Sequence, residues 1–231
     1  MSQSLFKLPA TAASRRLTEV FPRVFSLRRG VPVRARQRGA PGYAIRRDGR
    51  AVAIEYGETA DLMRALGSLM VNPRLQAEES KPAVAFRGLM LDVSRNGVLR
   101  PEALQRALVR LALLGYNHFC LYTEDTYEVK GHPLFGYRRG KYSQKELRDL
   151  DAFAAGLGIT MFPCIQTLGH LEQVLKLNRY LGLRDNERVI NARLAETRTL
   201  IKAMLKEASA PYRSKLIHVG MDETWGVGRG K

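Results

Sequence analysis

Two cysteines, one tryptophan and four histidines are all that this 231-residue chain holds of its scarcest chemistry-bearing types. Cys120 and Cys164 stand in apolar, strand-like surroundings, which argues against a disulfide framework and for buried thiols. His118, His132, His170 and His218 show no two-on-one-helix spacing, and no C-x-x-C pair occurs, so no metal site is expected. A Gly-rich phosphate loop and a nucleophile elbow are also missing. Gly226-Val227-Gly228-Arg229-Gly230 lacks the following helix that a dinucleotide loop requires, and no cofactor is implied. No apolar run approaches the ~20 residues that span a bilayer. Met1 to Leu17 lacks the continuous apolar stretch of a secretory signal. No membrane partner is expected, and a cytoplasmic location is the simplest reading.

Acidic residues are few as well: 22 against 38 basic ones, for a formal net charge of +16. Such a balance raises the possibility of a nucleic-acid partner, because clustered Lys and Arg release counterions from phosphates. Here the basic residues are dispersed, from Arg15-Arg16 through Arg34, Arg36, Arg38 and Arg46-Arg47 to Lys141 and Arg213. They have little aromatic interleaving and form no recognised motif, so no nucleic acid is expected as partner. Hydrophobic content of 45% is that of an ordinary globular chain.

The organisation along the chain suggests two parts. Residues 1–83 read as a small, non-catalytic α+β domain. Val24 to Leu27 is a candidate strand, and Tyr43 to Arg47 and Ala51 to Tyr56 flank Asp48-Gly49, a strong hairpin signal. Thr59 is placed to cap a helix carrying Leu62, Met63, Leu66, Leu69 and Met70 at helical spacing, stopped by Asn72-Pro73. Gln76 to Pro82 reads as a linker.

Residues 84–231 alternate strand and helix. Strands are expected over Gly88 to Val93, His118 to Tyr122, Thr160 to Ile165 and Leu216 to Val219. Helices are expected over Pro101 to Leu114, from Ser143 to about Leu157 behind a capping box with Glu146, and in segments between Glu172 and Ala208. Such alternation implies a parallel sheet with right-handed crossovers. Each polar residue singled out below falls at or beyond the C-terminal end of a strand, where barrel enzymes build their sites.

The richest segment is His218-Val219-Gly220-Met221-Asp222-Glu223, which sets two adjacent carboxylates at the end of an apolar run. On a regular strand they would point to opposite faces. Gly220 lets the chain leave the strand first. Two carboxylates in different environments can divide labour, one donating a proton and the other staying ionised. Taken alone, such a doublet is most often a solvated loop feature.

Three further motifs precede it: Arg87-Gly88-Leu89-Met90-Leu91-Asp92-Val93-Ser94-Arg95, then Asn117-His118-Phe119 running to Glu124-Asp125, then Met161-Phe162-Pro163-Cys164-Ile165-Gln166-Thr167-Leu168-Gly169-His170. In this order and spacing, Arg87 to Glu223 resembles the family 20 glycoside hydrolases, the β-N-acetylhexosaminidases. Met221 stands where many members have a second Gly, and Tyr122 to Asp125 departs from the Trp-His and paired-Asp wording of the animal and secreted bacterial enzymes. Both departures are closer to a bacterial exo-acting subgroup.

The resemblance implies an α/β fold, the N-terminal half of a (β/α)8 TIM barrel of about four βα units behind the small α+β domain. It also implies exo-hydrolysis of terminal β-linked GlcNAc or GalNAc from a glycan or glycoside, with the substrate's 2-acetamido oxygen as nucleophile. Glu223 would be the general acid and then base, and Asp222 would orient the acetamido group. Arg95 would grip the hydroxyls of the non-reducing sugar, Asp125 would contact sugar or support the site with Glu124 close behind, and His170 would support the carboxylates. Arg87 is expected to be structural and His218 to pack behind the motif, while Trp225 is placed either to stack on sugar or to cover the fourth strand. A complete barrel takes ~250 residues. The chain is therefore expected to be a fragment, weak or inactive alone, whose partner is the C-terminal half of the barrel. The competing readings are a non-catalytic carbohydrate-binding remnant and a basic nucleic-acid binder.

Overall fold

The computed structural model describes residues 4–95 and 97–230. Its elements are β1 (Phe6–Lys7), α1 (Ala12–Val20), β2 (Phe25–Ser26), β3 (Val31–Gln37), β4 (Tyr43–Asp48), β5 (Ala51–Tyr56), α2 (Thr59–Val71), β6 (Ala77–Ser80), β7 (Gly88–Asp92), α3 (Pro101–Leu113), β8 (His118–Tyr122), α4 (Gln144–Ala155), β9 (Thr160–Cys164), α5 (Glu172–Leu175), a 3-10 turn (Asn178–Leu183) and α6 (Ala195–Ser209). Spatially the chain forms two compact units, Met1–Gly88 with Glu102–His118 and Ala152–Thr160, and Leu89–Pro101 with Phe119–Asp151 and Met161–Lys231.

In the first unit a six-stranded sheet runs β2-β1-β3-β5-β4-β6. The Asp48-Gly49 hairpin is present: β4 and β5 pair antiparallel with Ile45 opposite Ile54, and Gly49 takes a left-handed φ of 54° as the turn demands. β3 joins β5 in parallel. The expected linker is instead partly a strand, since β6 pairs with β4 from Tyr43↔Ser80 to Arg46↔Ala77. The alternation in Ala77-Glu78-Glu79-Ser80 has no apolar signature, because its inward group is a glutamate, Glu78, which accepts from the Tyr43 and Ser68 hydroxyls. Helix α2 begins one residue earlier than a Thr59 cap would give. Glu58 is the N-cap and forms a capping box with Asp61. Met63, Leu66 and Leu69 are buried against the sheet as their spacing requires. α1, capped by Thr11, has no counterpart in the expected elements.

β7-β8-β9 form a second sheet. Hydrogen bonds at both ends run in the same sense, His118 N to Arg87 O and Val93 N to Tyr122 O, and likewise Thr160 N to Asn117 O and Thr123 N to Cys164 O, so the strands are parallel. The second unit buries Phe119, Leu121, Met161 and Ile165 along these strands and Leu200 and Met204 on α6. Cys120 and Cys164 are free and buried.

The fourth strand expected at Leu216 to Val219 is reduced to one parallel bridge, Cys164↔His218. Two local causes are visible. Ile165 N donates to His218 O and His218 N to Pro163 O, but Pro163 has no N–H for the next rung toward Leu216. On the other side Gly220 N donates to His218 Nδ1 instead of continuing the ladder, while Thr167 N still reaches Gly220 O. Among the described residues no helix is long and apolar enough to cross a membrane.

Candidate active site

All the polar groups singled out at the strand ends lie in the second unit. At the end of β7, Asp92 Oδ1 accepts from the backbone N–H of Ser94 at 2.8 Å and of Arg95 at 3.3 Å. This turn lays Arg95 across the strand ends. The guanidinium approaches Asp92 at 3.5 Å and Glu124 at 3.4 Å, donates to Tyr122 Oη at 3.2 Å, and sits 5.3 Å from the Tyr122 ring centroid. Burial works against its charge, but Tyr122, Glu124, Asp92 and Glu223 outweigh burial and hold it above its ordinary pKa.

Beyond β8 the two acids part company. Glu124 is buried, its N–H donates to Ser94 Oγ at 2.7 Å, and its Oε1 accepts from Tyr122 Oη at 3.0 Å. Burial pushes its carboxyl up, while Tyr122 and Arg95 pull it back. Asp125 is buried as well, but it turns to Arg139, whose Nε lies 3.2 Å from its Oδ1 and whose Nη2 donates to Ser94 O. Glu124 lines the cavity and Asp125 does not. The structure thus brings Glu124 to the cavity and sets Asp125 behind it, on the cavity-lining Arg139, which fits the supporting alternative rather than a direct contact. A period-2 argument on an irregular loop could not separate these neighbours, because the selecting partner, Arg139, lies far along the chain.

His170 follows β9 in a left-handed conformation, φ 52°. Its neighbour Gly169 has no Cβ, which would stand 3.0 Å from Asp222 O. The imidazole is buried among three carboxylates. Its Nε2 lies 3.3 Å from Glu223 Oε2 and 3.6 Å from Asp222 Oδ2, and its Nδ1 lies 3.9 Å from Glu124 Oε1 and 3.4 Å from Arg95 Nη2. Glu223, at φ 47°, and Asp222 keep more than half of their side chains open to solvent. Asp222 Oδ1 accepts from Gln166 Nε2 at 3.0 Å, and that bond, against a smaller effect of burial, holds its carboxyl below the ordinary value.

These groups border one cavity of about 390 Å³, lined by Ser94, Arg95, Glu124, Arg139, His170, Glu172, Gln173, Arg188 and Glu223, with Asp222 at its shoulder through His170. Arg95, His170, Asp222 and Glu223 therefore converge, whereas Asp125 is withdrawn. Gln166 and Tyr122 went unselected, yet Gln166 is fully buried and joins Tyr122 Oη, at 3.1 Å, to Asp222. A buried amide among apolar strand residues was the available signal. His218 stands behind the motif, with Nδ1 3.2 Å from Cys164 Sγ. Trp225 is 72% exposed, and its carbonyl accepts from Asn186 Nδ2. Arg87 holds carbonyls of Val84 and Gly115 at the opposite strand ends. Among the described residues no group of three or more His, Cys, Asp or Glu side chains is arranged to hold a metal ion. A second cavity of about 420 Å³ in the first unit, lined by Leu8, Val33, Met63 and Leu66 among others, presents no acid or base.

The family described as "Glycosyl hydrolase family 20, catalytic domain" matches residues 84–227. The chain is 28% identical over 200 residues to a β-hexosaminidase of Vibrio furnissii, covering 70% of this chain and 32% of that protein. It is 29% identical over 122 residues to hexosaminidase D of Bos taurus, covering 51% of this chain and 35% of that one. It thus spans about a third of the length of these curated relatives. Among solved structures, the family 20 exo-β-N-acetylglucosaminidase of Vibrio harveyi in complex with N-acetylglucosamine superposes with a TM-score of 0.77 at 21% identity, covering 96% of this chain and 44% of that one. The Streptomyces plicatus N-acetyl-β-hexosaminidase gives 0.76 at 20%, with 97% and 56% covered. Both share the mixed α/β fold described above.

Proposed function

The chain belongs to glycosyl hydrolase family 20, and from that premise we propose that it carries the acid/base half of an exo-β-N-acetylhexosaminidase site. The observation that supports this most is the convergence on His170 of Glu223 at 3.3 Å, Asp222 at 3.6 Å and Arg95 at 3.4 Å.

The chemistry follows from these groups. Arg95, a rigid fork of donors, holds two vicinal hydroxyls of a non-reducing terminal sugar, with Glu124 accepting beside it. Glu223 protonates the glycosidic oxygen as the C1–O bond breaks. The substrate's acetamido oxygen attacks C1 and closes an oxazolinium ring with one positive charge. Asp222, kept ionised by Gln166, accepts from the acetamido N–H and balances that charge. Water, deprotonated by Glu223, then opens the ring at C1, so configuration is retained. The separation rule for paired carboxylates does not govern this substrate-assisted class. His170 stands between the two acids, with Nε2 3.3 Å from Glu223 and 3.6 Å from Asp222.

Residues 84–231 are proposed as the first four βα units of a (β/α)8 barrel behind a small domain at 1–83, and the family match from residue 84 supports that boundary. The remaining barrel strands, in the same polypeptide or supplied separately, are the proposed partner, and a cytoplasmic location is retained as a proposal. The test is release of nitrophenolate from 4-nitrophenyl N-acetyl-β-glucosaminide by the chain joined to the remaining strands. Glu223→Gln is expected to remove most turnover, about 10²–10⁴-fold. Equal rates for both proteins would remove Glu223 from its role.

A further inference from the structure

We propose that Gln166 is a positioning residue that couples the sugar-gripping end of the site to the acetamido-orienting carboxylate and sets the direction of the protons between them. This rests on the functional reading above and deepens it. The Gln166 amide nitrogen has two hydrogens and both are placed: one on Tyr122 Oη at 3.1 Å, the other on Asp222 Oδ1 at 3.0 Å. Tyr122 Oη also receives Arg95 Nη2 at 3.2 Å. A hydroxyl has two lone pairs and one hydrogen, so with both lone pairs occupied the Tyr122 proton goes to Glu124 Oε1, 3.0 Å away. One polarity runs through the network, from Gln166 and Arg95 through Tyr122 to Glu124, and from Gln166 to Asp222.

The opposite amide orientation fails on counting. It would turn Oε1 toward Tyr122 and Asp222, setting one acceptor against a carboxylate and asking the single phenol hydrogen to serve both Gln166 and Glu124. The space for the observed orientation is made by Gly220. A Cβ there would lie 2.7 Å from Gln166 Cδ and Oε1 and 2.3 Å from Ile165 O, at a φ of 45°. Gln166 Oε1 is buried and unpartnered, a cost that a residue placed for packing alone would have no reason to carry.

The groups facing Asp222 are few. Gln166 comes from the end of β9, His170 Nε2 stands at 3.6 Å, His218 contributes a weaker attraction from behind, and Glu223 is its neighbour in the chain. Gln166 is the one among them that donates directly to the carboxylate within hydrogen-bond distance. Its removal therefore moves the Asp222 titration, whereas a packing role would not.

The experiment is a carboxyl ¹³C titration of Asp222 in the 231-residue chain, with ¹⁵N observation of the Gln166 amide. In the native chain the Gln166 amide signals should follow the Asp222 titration and lose that dependence in Asp222→Asn. Gln166→Met removes both donors at similar volume, and Gln166→Glu replaces them with charge. The Asp222 midpoint should rise in both, further in Gln166→Glu. Amide protection at Val93 reports that the variants are folded, and the native-chain reading needs no variant. Gln166 signals indifferent to Asp222 ionisation, or a midpoint unmoved in the folded variants, would overturn the proposal. A chain that shows these titrations but, joined to the remaining strands, neither binds nor hydrolyses N-acetylglucosaminides would instead sink the functional reading and leave the contact standing.

Discussion

Replacing Gly220 with Ala tests how the catalytic motif is held. The backbone there is left-handed, φ 45°, which costs an L-residue about 1–2 kcal/mol. The added Cβ would also fall 2.3 Å from Ile165 O and 2.7 Å from the Gln166 side chain, so backbone must shift, and overpacking of this type costs about 1–3 kcal/mol. Together these amount to roughly 2–5 kcal/mol. The motif is fastened by His218 N to Pro163 O, Ile165 N to His218 O, Thr167 N to Gly220 O, Thr167 Oγ1 to Val219 O and Gln166 Nε2 to Asp222, each worth about 0.5–1.5 kcal/mol net. Strain and fastening are therefore comparable, and the segment should open locally rather than unfold the chain. Hydrogen exchange reads this amide by amide. Ile165, Thr167 and His218 should exchange faster by roughly 30-fold or more, the factor for about 2 kcal/mol, while Val93 and Tyr142, bonded elsewhere, keep their protection. Unchanged protection at Ile165 and Thr167 would refute the close-approach argument.

Further outcomes follow from the same contacts. Glu124 is raised by burial, so its stabilising protonated form is fully present below the ordinary glutamate range, and stability is lost as pH rises through its elevated value. Glu124→Gln should flatten that dependence in chemical denaturation at several pH values, and an identical slope would contradict the assignment. Asp222 has the reverse sign: its depressed carboxyl favours the fold above the usual aspartate range and loses that contribution as pH falls through the lowered value. Because it is mostly exposed, its effect on melting should be small. Arg139→Met strands Asp125, 1% exposed, without its partner, and should cost about 3–5 kcal/mol in denaturant unfolding. A cost under about 1 kcal/mol, the scale of a surface pair, would show that Asp125 is not held as described.

Much of this was legible in the chain itself, for identifiable reasons. The Asp48-Gly49 hairpin, α3 and β8 follow from turn chemistry and apolar period, and they are local properties. The resemblance carried by Arg95, His170, Asp222 and Glu223 named residues that do meet in space. The failures were contextual. Leu216 to Val219 has the composition of a strand, but pairing depends on the neighbour, and Pro163 in β9 denies it a rung. Ala77 to Ser80 reads as a polar linker until Tyr43 and Ser68 are seen to satisfy Glu78. Glu124 and Asp125 are adjacent and chemically alike, and only Arg139 decides which faces the cavity. Gln166 has no distinctive spacing at all, and its role exists only through Tyr122, Asp222 and the missing Cβ of Gly220.

Backbone chemical shifts of the 231-residue chain, followed during titration with N-acetylglucosamine, test most directly whether these strand ends form one sugar site. Residues Arg95, Glu124, His170, Asp222 and Glu223 should move together along one saturation curve in the millimolar range or tighter, and Arg95→Ala should abolish the movement. Saturation confined to other residues, or independent curves at Arg95 and at Asp222-Glu223, would contradict a shared pocket.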